Sequence, residues 1–404
     1  MRGALLSAAL AGALLLGVRA EAQPVEDAGA FSVDAGGNVK SLFVGLAPWE
    51  GSPFLDEPLG IGLLTSRLSL EASAADVLSF EVQPFLAAST SGGLATLGLF
   101  AIGLTGPIPL PQAVNLTWAP VQSPAGSLAL RIDRLSLKAS VPFVDVIVGR
   151  QALSFGQMLF FPVLDIVTPF PPTTLDREFK PGSDAVRGDL YFGATGVLTA
   201  AAVYAGSYTV DGLILAARAR QTFGPFDIAA LAARNRGAPV VGLGAAGDVG
   251  GLGVRGEATL TFLPGEDAFV KAGLGVTGRF ANLTLIAEGY HQTIGADSPD
   301  QYLEVGSTVL ALRGDLLLLA HSYVAVSTVV GVTPTLLVSL CALGNLDDAS
   351  WLVGPGLNWA VADNAELTVG VGLPLGQRPL GAADIRSEFG TLPYTGSVQT
   401  RLYF

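Results

Sequence analysis

The chain has 404 residues, of which 50% are hydrophobic and 14% are charged, and its net charge at pH 7 is −12. This composition is too apolar for an ordinary soluble protein, and the acidic balance argues against nucleic acid as a partner. The single cysteine, Cys341, excludes an intrachain disulfide. Beyond the N-terminus there is no run of about 18 apolar residues, the length of a transmembrane helix. The hydrophobicity is therefore spread over many short segments.

The N-terminus has the organisation of a secretory signal peptide. Arg2 precedes an apolar stretch over 4–18, and Ala20-Glu21-Ala22 forms a small-x-small cleavage site. We expect cleavage after Ala22, with Ala20 as the alternative position. An uncleaved membrane anchor is the other interpretation. With cleavage, the mature chain is exported.

The remainder of the chain is a succession of alternating segments separated by turn residues such as Gly224-Pro225. The predicted strands are 39–46, 61–73, 77–89, 127–140, 144–153, 184–194, 196–208, 212–223, 225–236, 238–248, 250–263, 266–279, 281–292, 320–332, 335–345, 349–361, 364–375 and 395–404. Most are long enough to cross a bilayer at a tilt.

The links between these segments, numbered along the chain, differ in length, because all the long ones have odd numbers. If the first strand runs outward, every long link falls at the outer end, and the long links are 47–60, 90–126, 154–183, 293–319 and 376–394. Outer-membrane barrels have long extracellular loops and short periplasmic turns. A soluble sandwich has no reason to segregate its links in this way.

The two faces of each strand also differ. In 250–263, the apolar Val254, Ala258 and Leu260 alternate with Arg255 and Glu257. A closed barrel pairs every backbone amide, with the apolar face toward lipid and the charged face toward a lumen. We therefore predict an all-β, transmembrane antiparallel β-barrel of about 18 strands, with 16 as the second choice and a soluble sandwich as the alternative fold.

This fold implies a domain organisation and a location. Residues 1–22 are the signal peptide, 23–38 a periplasmic N-terminal segment, and 39–404 a single barrel in the outer membrane of a Gram-negative bacterium. Outer-membrane lipid is the expected surrounding partner.

The C-terminal run from Ser397 to Phe404 alternates and ends on an aromatic residue. It resembles the C-terminal signature of bacterial outer-membrane barrels. The resemblance implies that Phe404 is an assembly signal recognised by the barrel-assembly machinery.

A second stretch, VGRQALSFG at 148–156, is similar to the Gly-Arg-Gln-x-x-x-x-Gly stretch of porin-like and alginate-export-like barrels. Gly149, Arg150, Gln151 and Gly156 match it. The resemblance implies passive solute passage and names no solute.

The link from Ser154 to Ser183 is rich in proline and phenylalanine, which lets a loop pack as a stable object. We hypothesise that it folds into the lumen and narrows it. The expected constriction residues are Asp176, Arg177, Glu178 and Lys180. A rigid extracellular cap is the alternative.

Charged residues of the strands are expected to line the lumen. The cations are Arg131, Lys138, Arg150, Arg187, Arg218, Arg220, Arg255, Lys271, Arg279 and Arg401, and the opposing carboxylates are Asp133, Asp145, Asp189, Glu257, Glu288 and Glu366. The excess of positive charge predicts a slight anion preference. The alternative is that these charges pair across neighbouring strands.

The chain offers little for catalysis. His291 and His321 are its only histidines, and neither they nor Ser322 suggest a hydrolytic site. We expect no enzyme activity, no cofactor and no metal site. The predicted function is a porin-like channel for passive diffusion of small polar or anionic solutes. The alternative is a loop-mediated binding or structural protein with a plugged lumen, and the sequence leaves open a homo-oligomer.

Overall fold

The structure is a computed structural model that describes residues 31–75, 77–91, 107–265 and 267–404. The predicted signal peptide, at 1–22, lies outside the described residues. No helix in the described part of the chain is long and apolar enough to cross a membrane.

The described chain consists mainly of antiparallel strands joined in sequence order. They are β1 (Phe31–Ala47), β2 (Leu59–Ala74), β3 (Leu78–Ser89), β4 (Thr117–Ser123), β5 (Gly126–Val141), β6 (Val144–Gln151), β7 (Ser183–Phe192), β8 (Gly196–Tyr204), β9 (Leu213–Phe223), β10 (Phe226–Asn235), β11 (Ala238–Val249), β12 (Leu252–Thr261), β13 (Phe269–Phe280), β14 (Leu283–Gln292), β15 (Ser322–Thr333), β16 (Leu336–Asn345), β17 (Trp351–Ala362), β18 (Ala365–Leu375) and β19 (Tyr394–Tyr403). Two short helices, α1 (Tyr302–Gly306) and α2 (Val309–Leu312), lie between β14 and β15.

The strands close into one ring, because β19 pairs with β1 from Asn38↔Tyr403 to Ala47↔Tyr394. β4 adds no member to this ring. It pairs with β5 only over Thr117↔Arg131 to Ser123↔Gly126, beyond the part of β5 that β6 covers. The result is a closed 18-stranded antiparallel barrel, which confirms the predicted fold and the preferred strand number and makes sixteen wrong.

Each of the eighteen predicted segments corresponds to a strand of the ring, but two features differ. β1 begins at Phe31, not at 39, so 31–38 belong to the barrel wall. The pair Gly36-Gly37 hides the alternation there. At Gly37 a side chain has no room, since a Cβ would lie 2.5 Å from the Arg67 carbonyl oxygen and 2.8 Å from the Phe404 ring. The short β4 also escaped prediction, because Pro120 interrupts it next to a register shift.

The two ends of the barrel differ in the length of their connections. One end, the turn end, carries tight turns such as the one after β9, where Gly224 has a φ of 58°. The other, the loop end, carries the longer connections, which are 48–58, 90–116, 152–182, 205–212, 293–321 and 376–393.

The outer face of the barrel is apolar and exposed. Leu274 is 74% exposed and Leu243 is 65% exposed, and they are joined around the ring by Val241, Val270 and Leu340 among others. Monomeric water-soluble proteins rarely expose a contiguous apolar surface of this extent.

The inner face is different, because loops cover much of it near the loop end. One buried cluster packs Leu164 and Val167 of the 152–182 connection on β7 to β10. A second cluster joins Phe161 of the same connection to Tyr323 on β15 and to Phe389 of the 376–393 connection. The interior is therefore a packed structure in its loop half.

Candidate functional site: a loop inside the barrel

The connection 152–182, called here the inner loop, lies inside the ring. Its side chains and backbone contact Lys40 on β1, Glu257 on β12, Glu288 on β14 and Gln399 on β19. Strands from different parts of the ring can share one segment only if that segment is within the lumen. Leu164, at 0% exposure, is among its most buried residues.

Two wall carboxylates hold the backbone of the inner loop. Glu288 Oε1 accepts the amide of Leu159 at 2.8 Å, and its Oε2 accepts the amides of Phe160 and Phe161 at 2.8 and 3.2 Å. Glu257 accepts the amide of Leu164 at 2.9 Å, and also that of Gln157. Both carboxylates are buried by the loop that they bind.

Glycines in the wall make room for the inner loop. A Cβ at Gly242 on β11 would lie 2.6 Å from Leu164 Cδ2, and a Cβ at Gly273 on β13 would lie 2.6 Å from the sulfur of Met158. Because these positions carry no side chain, the loop backbone comes within hydrogen-bond reach of the wall carboxylates.

The four expected constriction residues fasten the inner loop. Lys40 Nζ lies 2.8 Å from Asp176 Oδ2 and 2.6 Å from Glu178 Oε2. Arg177 donates to the carbonyls of Pro171 and Pro172, at 3.0 and 2.8 Å, and to that of Leu159. Lys180, in turn, pairs with Asp165 within the loop.

These contacts set the charge states of the loop. Burial by itself raises the pKa of Asp176, but the hydrogen bond and charge of Lys40 outweigh it and hold this pKa below its ordinary value. For Asp165, burial dominates and raises the pKa in spite of Lys180. Burial likewise lowers the pKa of Lys180. The inner loop therefore keeps a charged tie to β1, whereas burial shifts its own pair of Asp165 and Lys180 toward the neutral forms.

The predicted lumen residues lie on the inner face, with one exception. Register and alternation from Glu257, which binds the inner loop, place on this face Arg131, Lys138, Arg187, Arg218, Arg220, Arg255, Lys271, Arg279 and Arg401. The same alternation places Lys40 and Arg67 there, although neither was among the predicted lumen residues. Both stood in predicted strands, so alternation was the signal that could have found them.

Arg150 is the exception, and its placement in the lumen was wrong. Its register partner is Asp184, whereas the inner-facing Asp145 on the same strand pairs with Asp189, so alternation assigns Arg150 to the other face. Its guanidinium binds the Asp184 carboxylate at 2.7 Å and the carbonyls of Ile132 and Val114 at 2.9 and 2.8 Å. Arg150 thus joins the strands where β6 ends.

About half of the inner-face cations are neutralised by neighbours. Lys138 pairs with Asp145, Arg187 with Asp189, Arg131 with Asp133, and Arg401 with Glu366, at 2.9 to 3.4 Å. Arg255 approaches Glu288 at 3.7 Å. In contrast, three arginines form no ion pair with another residue of the described chain, and these are Arg218, Arg220 and Arg279. The inner face therefore carries both paired and unpaired cations.

Two cavities flank the inner loop. One, of about 560 Å³, lies toward β11 to β14 and is lined by Phe161, Tyr290 and Lys271 among others. The other, of about 310 Å³, lies toward β1 to β5. In the second, the Arg67 guanidinium stacks 4.5 Å from the ring centre of Phe179. The inner loop thus divides the space without filling it.

At the loop end, a buried polar cluster joins three connections. This cluster, the Glu388 network, consists of Glu388, Asp348, Asn345, Tyr302 and Tyr323. Asn345 Nδ2 donates to Glu388 Oε2 at 2.9 Å and to Asp348 Oδ2 at 3.1 Å, while the Glu388 amide donates to Asp348 Oδ2 at 2.7 Å. Tyr302 donates to Asp348 at 2.8 Å, and Tyr323 donates to Glu388.

The network contains two carboxyl groups and no cation from the described chain. Burial and, to a smaller extent, the nearby Asp348 raise the pKa of Glu388 to about 7, against the hydrogen bonds that Glu388 accepts. Burial also raises the pKa of Tyr302. One proton in the network is therefore held up to near-neutral pH.

The two histidines have separate polar partners. His291 Nδ1 lies 3.0 Å from Ser322 Oγ, but the Ser322 amide donates to Asp347, at 2.9 Å, and is not free to stabilise an oxyanion. His321 Nε2 instead lies 3.2 Å from Asp297. Within the described ranges, no group of three or more histidine, cysteine or acidic residues could hold a metal.

The closed ring of 18 antiparallel strands with a loop folded inward defines the barrel class to which outer-membrane porins belong. No protein-family model matches the sequence, and neither does any curated protein. Among solved structures, the chain is similar to OccAB3 of Acinetobacter baumannii, with a TM-score of 0.58 and 10% identity over 92% of this chain and 99% of that one.

Two further structures show the same likeness. A BenF-like porin from Pseudomonas fluorescens Pf-5 aligns with a TM-score of 0.57 and 10% identity, over 95% of this chain and 100% of that one. OpdK of Pseudomonas aeruginosa, solved with vanillate, aligns with a TM-score of 0.54 and 10% identity, over 92% of this chain and 98% of that one. At such identities the likeness establishes the fold.

Proposed function

We propose that the protein is an outer-membrane channel for passive diffusion of small polar or anionic solutes and that it has no catalytic role. The observation that carries the proposal is the contrast between the two faces of one closed ring. Exposed leucines and valines cover the outside, whereas the inner face carries the unpaired Arg218, Arg220 and Arg279. Three similar structures belong to outer-membrane porins or their relatives, which supports the same function.

In this proposal the apolar belt is covered by lipid, the turn end faces the periplasm and the loop end faces the exterior. Export by the signal peptide, recognition of Phe404 by the assembly machinery and association with further copies remain parts of the proposal. Phe404 exchanges backbone hydrogen bonds with Gly37 at 2.8 and 3.1 Å. An assembly signal at Phe404 would therefore also complete the pairing of the last strand with the first.

The inner loop is the proposed constriction. Asp176, Arg177, Glu178 and Lys180 serve it by fastening the loop, since their charges are met by partners. A passing solute instead meets the unpaired cations of the wall, Arg218, Arg220 and Arg279. A lumen with surplus cations favours anions.

Reversal potentials under a salt gradient test this proposal. The wild-type channel is expected to prefer anions, and the double variant Arg218→Glu with Arg220→Glu to shift the reversal potential toward cations. Arg386→Glu is the control, because Arg386 is exposed in the 376–393 connection and its replacement changes the charge by the same amount as each of the two lumen substitutions. Clear cation preference of the wild type would refute the anionic part of the proposal.

A second function, loop-mediated binding with a blocked lumen, is favoured by one observation. Buried apolar clusters fill much of the loop half of the barrel. Single-channel recording of the purified protein separates the two functions. Stable open steps support the channel, and silence at all voltages supports the blocked barrel.

A further inference from the structure

The backbone amides of the inner loop need hydrogen-bond partners, and side chains of the barrel wall provide them. Residues 156–164 form no helix or strand, so their amides have no regular partners. A buried amide without a partner costs about 1 to 3 kcal/mol. Five of these amides donate to just two wall side chains, and the donors are Gln157, Leu159, Phe160, Phe161 and Leu164.

The two acceptors suit this task because they are carboxylates. Glu288 is 1% exposed and Glu257 is 3% exposed, and four oxygens between them accept the five amides. Within the described chain, Arg255 alone forms an ion pair with either carboxylate, and its nearest nitrogen is 3.7 Å from Glu288. Hydrogen bonds to an ionised acceptor are about twice as strong as neutral ones.

The two carboxylates stand on either side of β13. Glu257 pairs in register with Gly273, and Glu288 pairs with Gly275. Met158 occupies the space above Gly273, between the two acceptors. The wall therefore presents two carboxylates, on β12 and β14, and between these strands a glycine that leaves room for the side chain of Met158.

The opposite side of the inner loop is held in a different way. There, Asp176 and Glu178 reach Lys40 on β1 through their side chains. The inner loop is thus bound to β1 through its side chains and to β12 and β14 through its backbone amides.

We propose that Glu257 and Glu288 are positioning residues, whose carboxylates hold the backbone of 157–164 against the wall and thereby set the width of the passage on the other side of the loop. The statement about width rests on the proposed channel function, whereas the positioning itself does not.

Hydrogen exchange of the folded, full-length barrel in detergent tests the positioning. The variants are Glu257→Gln, Glu288→Gln and the double substitution. A glutamine keeps one acceptor oxygen and turns an amino group toward amides that also donate. We expect the amides that each glutamate binds, 157 and 164 for Glu257 and 159–161 for Glu288, to exchange at least about tenfold faster in its single variant, and all five to do so in the double variant.

Glu81→Gln is the matched control, since Glu81 is an inner-face carboxylate whose hydrogen bonds go to Gln83 and Ser136. The Leu319 amide, bound by Glu388, is an internal reference for intact folding. Faster exchange confined to 157–164 supports the proposal. Exchange of 157–164 in the double variant no faster than in Glu81→Gln overturns it, and so does a uniform rise that includes Leu319.

Single-channel recording of the same variants tests the passage. We expect the double variant to show an altered open level with larger fluctuations than the wild type, and Glu81→Gln to show wild-type noise. If the variants show faster local hydrogen exchange but the wild type conducts no current, the positioning role is supported and the channel function is refuted. An unchanged open level in a conducting double variant would refute the control of width.

Discussion

The buried carboxyl of Glu388 makes the docking of the 376–393 connection depend on pH. Its pKa of about 7 lies about 2.5 pH units above the ordinary value of 4.5, and each unit corresponds to about 1.36 kcal/mol. Below about pH 4.5 the group is protonated whether the connection is docked or free, so docking has its full strength. Between about 4.5 and 7 the docked form alone keeps the proton. Docking therefore loses about 3 kcal/mol as the pH rises through this window, and stays level above it.

Replacing Glu388 with glutamine removes this dependence. Glutamine is neutral at all pH values and keeps one acceptor, and one mismatched hydrogen bond costs about 1 kcal/mol. At pH 8 the variant should therefore dock more firmly than the wild type by about 2 kcal/mol, roughly a 30-fold difference in the docking equilibrium. Of the groups that form hydrogen bonds with Glu388, Asp348 keeps its carboxyl in the variant, Asn345 keeps its side-chain amide and Tyr323 keeps its hydroxyl.

Protection factors of the Phe389 amide, which donates to Ser350 Oγ at 3.2 Å, report docking. They should fall from pH 5 to pH 8 in the wild type and stay level in Glu388→Gln. Asp384→Asn is the control, because this exposed carboxyl of the same connection loses the same charge. Wild-type protection that is equal at the two pH values, or a Glu388→Gln variant that keeps the wild-type slope, would refute the reasoning.

Two further predictions concern packing. Leu164→Ala empties a fully buried site on Gly242 and should weaken seating of the inner loop by about 2 to 5 kcal/mol, seen as faster tryptic cleavage within 152–182, with the exposed Leu346→Ala as control. Gly37→Ala places a Cβ against immovable backbone and should lower the yield of barrels that resist unfolding during electrophoresis without heating, whereas Gly289→Ala, with open space around it, should not. Equal behaviour of either pair contradicts the corresponding argument.

Alternation was enough to predict the ring, because lipid-facing and inner-facing side chains alternate along every strand. Within 250–263 it separated Leu260 from Glu257 correctly, and the register agrees. It was not enough at Gly36-Gly37, where two residues without side chains carry no pattern, nor in β4, where Pro120 breaks the pairing.

The site was predictable only in part. Proline and phenylalanine marked the inner loop as an ordered object, but its direction depends on contacts with strands far along the chain. Glu288 was predicted to face the lumen, whereas its acceptor role was hidden because the amides of 159–161 are 127 to 129 positions away. Arg150 was wrongly predicted to line the lumen, because its guanidinium instead binds Asp184 and the carbonyl of Val114.

Asp176 contacts both the first and the last strand of the barrel. Its carboxylate binds Lys40 on the first strand at 2.8 Å and Gln399 on the last at 3.0 Å, and these two strands are neighbours at the seam of the ring. The two partners of Asp176 come together only when β1 and β19 pair. We therefore expect the inner loop to complete its contacts only after the first and last strands have paired.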